Sequence, residues 1–206
     1  TSYTYFYTGD VDGDGEPEIV LKEGNTLKII EGDGTILFEK TFEKYFNLGH
    51  VLDIDGDTIS EISLILPSTK FRFAVYKWEE DITEYYYLDE LNTGLPLHNA
   101  EVAPLAVIDS NADGNPEILA AIAVGYSCKP RGVASIDYAS GKIVWFYQSG
   151  TGPMSHVIQD INGDGSLEII TGSMAPCTCP YDEEYPDCDS YVTVLSVKGE
   201  ELWKDG

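Results

Sequence analysis

The sequence has few cations. Twelve Lys and Arg residues stand against 36 Asp and Glu residues, which gives a formal net charge of -24. This balance argues against nucleic acid and anionic membranes as partners, because both are bound through positive charge. No run of about 18 apolar residues occurs either, which excludes a transmembrane segment of the helical type. The hydrophobic content of 43% nevertheless excludes a disordered chain and predicts a folded, soluble protein.

Helical periodicity and catalytic motifs are also missing. Ser, His and Asp residues are present, but none has the spacing of a nucleophile elbow or of a metalloprotease. No catalytic group can therefore be assembled, which favours a non-enzymatic role. The chain starts at Thr1 rather than Met, as a processed or trimmed polypeptide would.

The most informative stretch is an acidic motif at residues 160–169. Asp160, Asn162 and Asp164 place oxygen atoms at alternate positions of a tight turn. The carbonyl of Ser166 can add a ligand, and Glu168 can close the far side. Hard cations such as Ca²⁺ take six to eight oxygen ligands, so the motif predicts a calcium loop. It differs from an EF-hand, since the closing acid is at the ninth position and β-branched residues follow at once.

Four copies of this motif occur, and they start 43, 56 and 51 residues apart. Periods of about 40 to 50 residues are typical of propeller blades. Up to four Ca²⁺ ions are therefore expected. The alternative is a set of Asp/Gly-rich surface turns without metal, since Asx turns explain isolated Asp-Gly pairs. The predicted ligands at positions 1, 3, 5, 7 (through its carbonyl) and 9 are Asp10, Asp12, Asp14, Glu16 and Glu18; Asp53, Asp55, Asp57, Ile59 and Glu61; Asp109, Asn111, Asp113, Asn115 and Glu117; and Asp160, Asn162, Asp164, Ser166 and Glu168.

The segments around the motifs predict strands. An apolar segment precedes each motif, an Ile-led segment follows it, and a hairpin with a tight turn comes next. The predicted fold is all-β, a β-propeller-type repeat with four blades of four antiparallel strands and the calcium loop between the first two strands. Residues 1–206 form a single propeller domain or part of a larger one, with approximate blades 1–44, 45–95, 96–150 and 151–206.

The four cysteines favour two disulfides, since they are even in number and clustered. Cys177 and Cys179 are too close in sequence to pair easily. Cys188 is therefore expected to bond one of them, and Cys128 the other. A four-thiolate zinc site is the alternative, although the usual paired Cys-x-x-Cys spacing is missing.

Two further sets of residues have competing interpretations. His50 and His156 both precede an acidic motif on the first strand of a unit, which lines the axis of a propeller. They are either a ligand or base pair or structural histidines. Phe38, Trp145 and Trp203 occupy matching positions in the fourth strand, where packing between blades is favoured over ligand stacking.

The first motif, Gly9 to Val20, resembles the repeat of the FG-GAP, or integrin-α-like, β-propeller family and the related VCBS repeats. Residues 169–176 look like the downstream half of that repeat, and the resemblance extends over all four units. It implies that the side chains at positions 1, 3, 5 and 9 bind Ca²⁺. It also implies a secreted or cell-surface location.

The main functional hypothesis is a non-enzymatic, calcium-stabilised extracellular module for adhesion, recognition or assembly. Its partners would be a protein or glycan ligand, or further copies of itself. The alternative is the propeller scaffold of a carbohydrate-active enzyme such as a polysaccharide lyase. The chain is not expected to work as an isolated closed ring, because no strand is left over to lock a first or last blade.

Overall fold

The computed structural model describes residues 4–66, 70–88, 91, 100–111, 113–124, 129–150, 152–175, 177 and 187–206. Within these ranges the chain forms 16 β-strands. Over the same ranges, no helix has the length and apolar character needed to cross a bilayer.

The strands form four antiparallel sheets, each made of four consecutive strands in sequence order. This confirms the predicted all-β architecture of four units of four strands. Sheet I contains β1 (Thr4–Gly9), β2 (Glu18–Glu23), β3 (Thr26–Ile30) and β4 (Ile36–Thr41). Sheet II contains β5 (Asn47–Leu52), β6 (Glu61–Ile65), β7 (Arg72–Lys77) and β8 (Ile82–Tyr87). Sheet III contains β9 (Ala100–Ile108), β10 (Glu117–Val124), β11 (Gly132–Asp137) and β12 (Lys142–Gln148). Sheet IV contains β13 (Gly152–Gln159), β14 (Glu168–Met174), β15 (Val192–Ser196) and β16 (Glu201–Asp205).

Burial along the strands follows the position of each sheet in the series. Sheet III lies between sheets II and IV, and nearly every side chain of β10 is buried because both faces of the strand are covered. In β2 of sheet I burial alternates, with Val20 fully buried and Ile19 exposed. Strand β16 is exposed along its whole length. The core therefore lies between the sheets.

Three hydrophobic clusters hold successive sheets face to face. The cluster between sheets I and II includes Val20, Ile29, Ile62 and Leu64. The next includes Phe73 and Val75 of sheet II with Ile118 and Ile136 of sheet III. The third includes Leu119 and Val133 of sheet III with Ile169 and Leu195 of sheet IV. This serial packing positions the four acidic loops, each of which joins the first and second strands of its sheet.

Candidate metal loops and neighbouring pockets

Acidic loop 1, which joins β1 to β2, folds around its first aspartate. Asp10 accepts hydrogen bonds from the backbone N–H groups of Gly13 (2.7 Å) and Gly15 (3.0 Å). Asp12 and Asp14 each accept one from the N–H group two residues further on, at 3.1 and 2.8 Å. These Asx-type bonds use one oxygen of Asp12 and one of Asp14. Their second carboxylate oxygens remain available to a cation.

The same framework recurs in acidic loops 2 (residues 53–60), 3 (109–116) and 4 (160–167). In each, the N–H of the seventh residue donates to the fifth side chain at 2.8 Å. The ninth residue, a glutamate, accepts a hydrogen bond from the N–H of the second residue in every loop, at 2.7 to 2.9 Å. The glutamate therefore ties the start of the second strand back to the start of the loop.

Glu18 in acidic loop 1 has an oxygen atom without a partner. The side chain is fully buried, its Oε2 accepts the Val11 N–H, and its Oε1 makes no hydrogen bond to any described residue. Leaving a buried carboxylate oxygen unsatisfied is costly. Ligand oxygens of Asp10, Asp12 and Glu18 all lie within 4.8 Å of one another. A hard cation between them would satisfy the orphaned oxygen, so this donor set fits Ca²⁺.

The loops differ in their third residue. In acidic loop 3 the Asn111 amide donates to Glu117 Oε1 (2.8 Å), and in acidic loop 4 the Asn162 amide donates to Glu168 Oε1 (3.0 Å). These amides partner the glutamate oxygen that is left unpaired in loop 1. Loops 1, 2 and 3 each hold three acids within 4.8 Å, whereas the three described acids of loop 4 do not form such a group. We therefore expect loops 1 and 2, which have Asp at the third position, to bind a cation more tightly than loops 3 and 4, which have Asn there.

Glu61 closes acidic loop 2 in an environment that disfavours its charge. Burial raises the pKa of Glu61 to about 7, although the hydrogen bond from the Ile54 N–H acts in the opposite direction. The nearby carboxylates of Asp55 and Asp57 also raise this pKa. A bound cation would reverse the effect of the neighbouring charges by favouring the ionised form.

Loop 2 also contains a strained backbone position. Thr58 has a φ of 78°, and glycines occupy the equivalent sites in the other loops, Gly15 (92°), Gly114 (92°) and Gly165 (89°). A left-handed conformation costs a non-glycine residue about 1–2 kcal/mol. We predict that Thr58→Gly raises the thermal midpoint by about 2–8 °C, at about 2–4 °C for each kcal/mol in a domain of this size. It should also tighten calcium binding at loop 2.

Scanning calorimetry and calcium titration of Thr58→Gly check this prediction. Gly15→Ala is the matched control, because it places a side chain at the same position of loop 1 and should lower the midpoint. A weaker calcium site in Thr58→Gly would show that the loop register is wrong.

The structure brings the two predicted axial histidines together. The rings of His50 and His156 lie 5.2 Å apart, and the Tyr7 ring lies 4.5 Å from His50. They line a cavity of about 400 Å³ whose remaining described lining is Gly49, Ile65, Ala103, Leu105, Ala121 and Ser155. Burial lowers the pKa of both histidines, which favours the neutral form of each ring. None of these lining residues is a cation.

A second pocket, the Arg72 pocket, was missed by the sequence reasoning. It has a volume of about 340 Å³ and is lined by Phe42, Lys44, Arg72 and Tyr85, together with Glu43, Leu64, Leu66 and Thr83. The Arg72 Cζ lies 4.5 Å from the centroid of the Tyr85 ring. Within the described part of the chain, the buried Nε of Arg72 has no hydrogen-bond acceptor. The available signal was a cation within a β-strand of a cation-poor chain.

One predicted disulfide is confirmed, between Cys177 and Cys188. It excludes the alternative four-thiolate zinc site, because it removes two of the thiolates. Cys128 and Cys179 lie outside the described residues. Next to Cys188, Asp187 forms a buried ion pair at 3.0 Å with Arg131, which immediately precedes β11 of sheet III.

Comparison with known proteins shows the fold alone. No family model matches the sequence, and no curated protein matches it. Among solved structures, the chain is similar to BBS1N, solved in complex with ARL6DN, with a TM-score of 0.59 and 14% identity over 97% of this chain and 55% of that one. It is also similar to the Dos1 propeller, with a TM-score of 0.50 and 7% identity over 91% of this chain and 44% of that one.

The exotype rhamnogalacturonan lyase YesX is a third structural neighbour. It has a TM-score of 0.59 and 16% identity, and the match covers 98% of this chain and 41% of the lyase. The chain therefore spans about half the length of the structures it matches. The neighbours support a propeller architecture for the four sheets.

Proposed function

We propose that the chain is a calcium-stabilised, non-enzymatic propeller module of an extracellular protein, of the FG-GAP or VCBS type, with a role in adhesion, recognition or assembly. Two observations on Glu18 carry the calcium part. Its buried Oε1 has no hydrogen-bond partner among the described residues, and a carboxylate oxygen of Glu18 lies within 4.8 Å of ligand oxygens of Asp10 and Asp12. The disulfide between Cys177 and Cys188 supports an extracellular location, because disulfides persist in oxidising compartments.

Calorimetric calcium titration of Glu18→Gln tests this proposal. The variant should lose the loop 1 site, or bind there at least about tenfold more weakly, since it removes a charged ligand. Glu16→Gln is the matched control. The Glu16 side chain is exposed, and this residue is expected to bind the ion through its backbone carbonyl. The calcium affinity of the Glu16→Gln variant should therefore stay near that of the unaltered chain. Equal calcium binding by Glu18→Gln and the unaltered chain would contradict the proposal.

For the recognition role, we propose that the Arg72 pocket binds a carboxylate-bearing sugar. The guanidinium can bind a carboxylate, and the rings of Phe42 and Tyr85 offer stacking surfaces. Among the described residues, no acidic side chain forms an ion pair with Arg72. The buried Nε would gain its missing acceptor from the ligand.

Isothermal titration calorimetry with oligogalacturonate tests whether the Arg72 pocket binds a carboxylate-bearing sugar. Arg72→Met should weaken binding by at least about tenfold, because it removes a charged hydrogen bond while keeping much of the side-chain volume. Lys28→Met, which removes a cation elsewhere on the surface, is the control and should leave binding unchanged. Equal binding by both variants would show that the pocket does not recognise the sugar.

The lyase scaffold is the second candidate function. It is favoured by His50 and His156, which lie together in the cavity of about 400 Å³. An imidazole that is neutral at pH 7 can act as a general base. A lyase also needs cations to hold an acidic sugar, and the described lining of this cavity contains neither Lys nor Arg. We therefore rank binding above catalysis. Cleavage of rhamnogalacturonan by the purified chain, lost in His156→Phe, would reverse this order.

A further inference from the structure

The residue after each closing glutamate shows which face of its sheet is covered. This residue is isoleucine in all four repeats, and Ile62, Ile118 and Ile169 each pack against the preceding sheet. Their exposed fractions are 1%, 0% and 0%. Ile19 of sheet I is the fourth member and is 38% exposed. Sheet I therefore presents the face that the other sheets cover with a preceding sheet.

The second residue of each acidic loop gives the same information for the opposite face. Val11 and Ile54 are 3% and 1% exposed, and each lies in the hydrophobic cluster that its sheet shares with the next one. Trp78, in the turn that follows β7 of sheet II, donates its indole N–H to the Val11 carbonyl at 3.1 Å. Ile161 of sheet IV is 54% exposed. Sheet IV therefore presents the face that the other sheets cover with a following sheet.

A tryptophan and a glycine show how two such faces fit. Trp145 on β12 packs on the turn of sheet IV so closely that a Cβ at Gly199 would lie 2.5 Å from the indole Cε3. Trp203 on β16 holds the equivalent position, opposite Val194 as Trp145 is opposite Ser135. Trp203 is nevertheless 50% exposed. Trp203 therefore has the position of Trp145 but lacks a contact like the one that Trp145 makes with the turn at Gly199.

Sheet I contains the matching surface. The Gly34 N–H donates to the Glu31 carbonyl at 2.9 Å, as the Gly199 N–H donates to the Ser196 carbonyl at 3.0 Å, and both glycines have a positive φ. Among the described residues, and apart from the chain neighbours of Gly34, no heavy atom lies within 4 Å of the position that a Cβ on Gly34 would occupy, as is also the case at Gly141 in the corresponding turn of sheet III. The turn at Gly34 is thus a vacant equivalent of the turn that holds Trp145.

We propose that sheet IV of one copy of this chain docks on sheet I of a second copy, with Trp203 over the turn at Gly34 and Ile161 and Ile19 inside the interface. A second copy is the occupant because the chain carries both complementary faces, and each reproduces a contact already made between its own sheets. The contact is head to tail, so copies join into a ring or a filament. This inference rests on the assembly role proposed above and names its partner.

Sedimentation of the calcium-loaded chain over a range of concentrations tests the contact. The unaltered chain should associate, and Trp203→Lys and Ile19→Lys should each sediment as a monomer or associate at least about tenfold more weakly. Tyr87→Lys, at a 48% exposed aromatic on β8, is the control and should associate like the unaltered chain. A monomeric unaltered chain, or full association of Trp203→Lys, would overturn the proposal.

A mixing experiment distinguishes head-to-tail docking from other associations. Trp203→Lys keeps an intact sheet I face, and Ile19→Lys keeps an intact sheet IV face. An equimolar mixture should therefore form a dimer that neither variant forms alone, and a mixture that stays monomeric would overturn the proposal. Unchanged melting midpoints show that the variants are folded. Unchanged calcium titration separates a failure of docking from a failure of the proposed calcium function.

Discussion

Removing calcium from the intact chain should lower its thermal unfolding midpoint by about 5–10 °C for each site that empties. A ligand at a hundredfold excess over its dissociation constant stabilises the native state by about 2.7 kcal/mol for each site. One kcal/mol shifts the midpoint of a domain of this size by about 2–4 °C. Without the cation, loops 1, 2 and 3 each hold three carboxylates whose ligand oxygens lie within 4.8 Å of one another. In loop 1, Glu18 Oε1 also has no hydrogen-bond partner among the described residues. Scanning calorimetry with calcium and with a chelator measures the shift.

The double variant Glu18→Gln/Glu61→Gln separates loops 1 and 2 from the others. Its chelator-dependent shift should be smaller than that of the unaltered chain, because its two best sites are already weakened. Restoring calcium to the chelated chain should restore the midpoint. An unchanged midpoint in chelator would show that the acidic loops are metal-free turns, which is the alternative interpretation of the repeat.

Breaking the Arg131–Asp187 ion pair should also have a large effect. The two side chains are 2% and 1% exposed and lie 3.0 Å apart. Arg131 also donates to the Gly150 carbonyl at 3.2 Å. Removing one partner of a buried ion pair costs about 3–5 kcal/mol, because the remaining charge loses its attraction to an opposite charge in a low-dielectric environment. Arg131→Met should therefore lower the free energy of unfolding by that amount, measured by urea denaturation.

Lys28→Met is the matched control, since Lys28 pairs with Glu23 at 3.3 Å and the Glu23 side chain is 58% exposed. Exposed pairs contribute about 0–1 kcal/mol, so this variant should be close to the unaltered chain. The double variant Arg131→Met/Asp187→Leu should recover part of the loss, because both charges are gone. Equal losses of unfolding free energy in Arg131→Met and Lys28→Met would contradict the cost assigned to breaking the buried ion pair.

Much of the fold follows from short-range patterns. The acidic motifs, the isoleucines after them and the hairpin turns give the number, order and class of the strands, and the structure confirms four sheets of four strands. The tight turn around Asp10 depends on residues no more than five positions away. The positive φ at Thr58 is likewise a property of the local turn, because the glycines at the matching positions of the other loops share it. These features are local, because Asx turns and strand pleating act between near neighbours in sequence.

The sequence by itself determined the repeat, the strand class and the residues of the candidate calcium loops. The tertiary structure decided which of these residues lack partners. Glu18 and Ile19 are neighbours on β2, yet one is fully buried and the other is 38% exposed, because among the described residues one face of sheet I packs against another sheet and the opposite face does not. The contact between His50 and His156, the Arg72 pocket and the exposure of Trp203 depend on the same packing. The identity of a side chain determines which groups it can bind, whereas the packing of the sheets determines which residues it contacts. That packing brings together residues that are far apart in sequence.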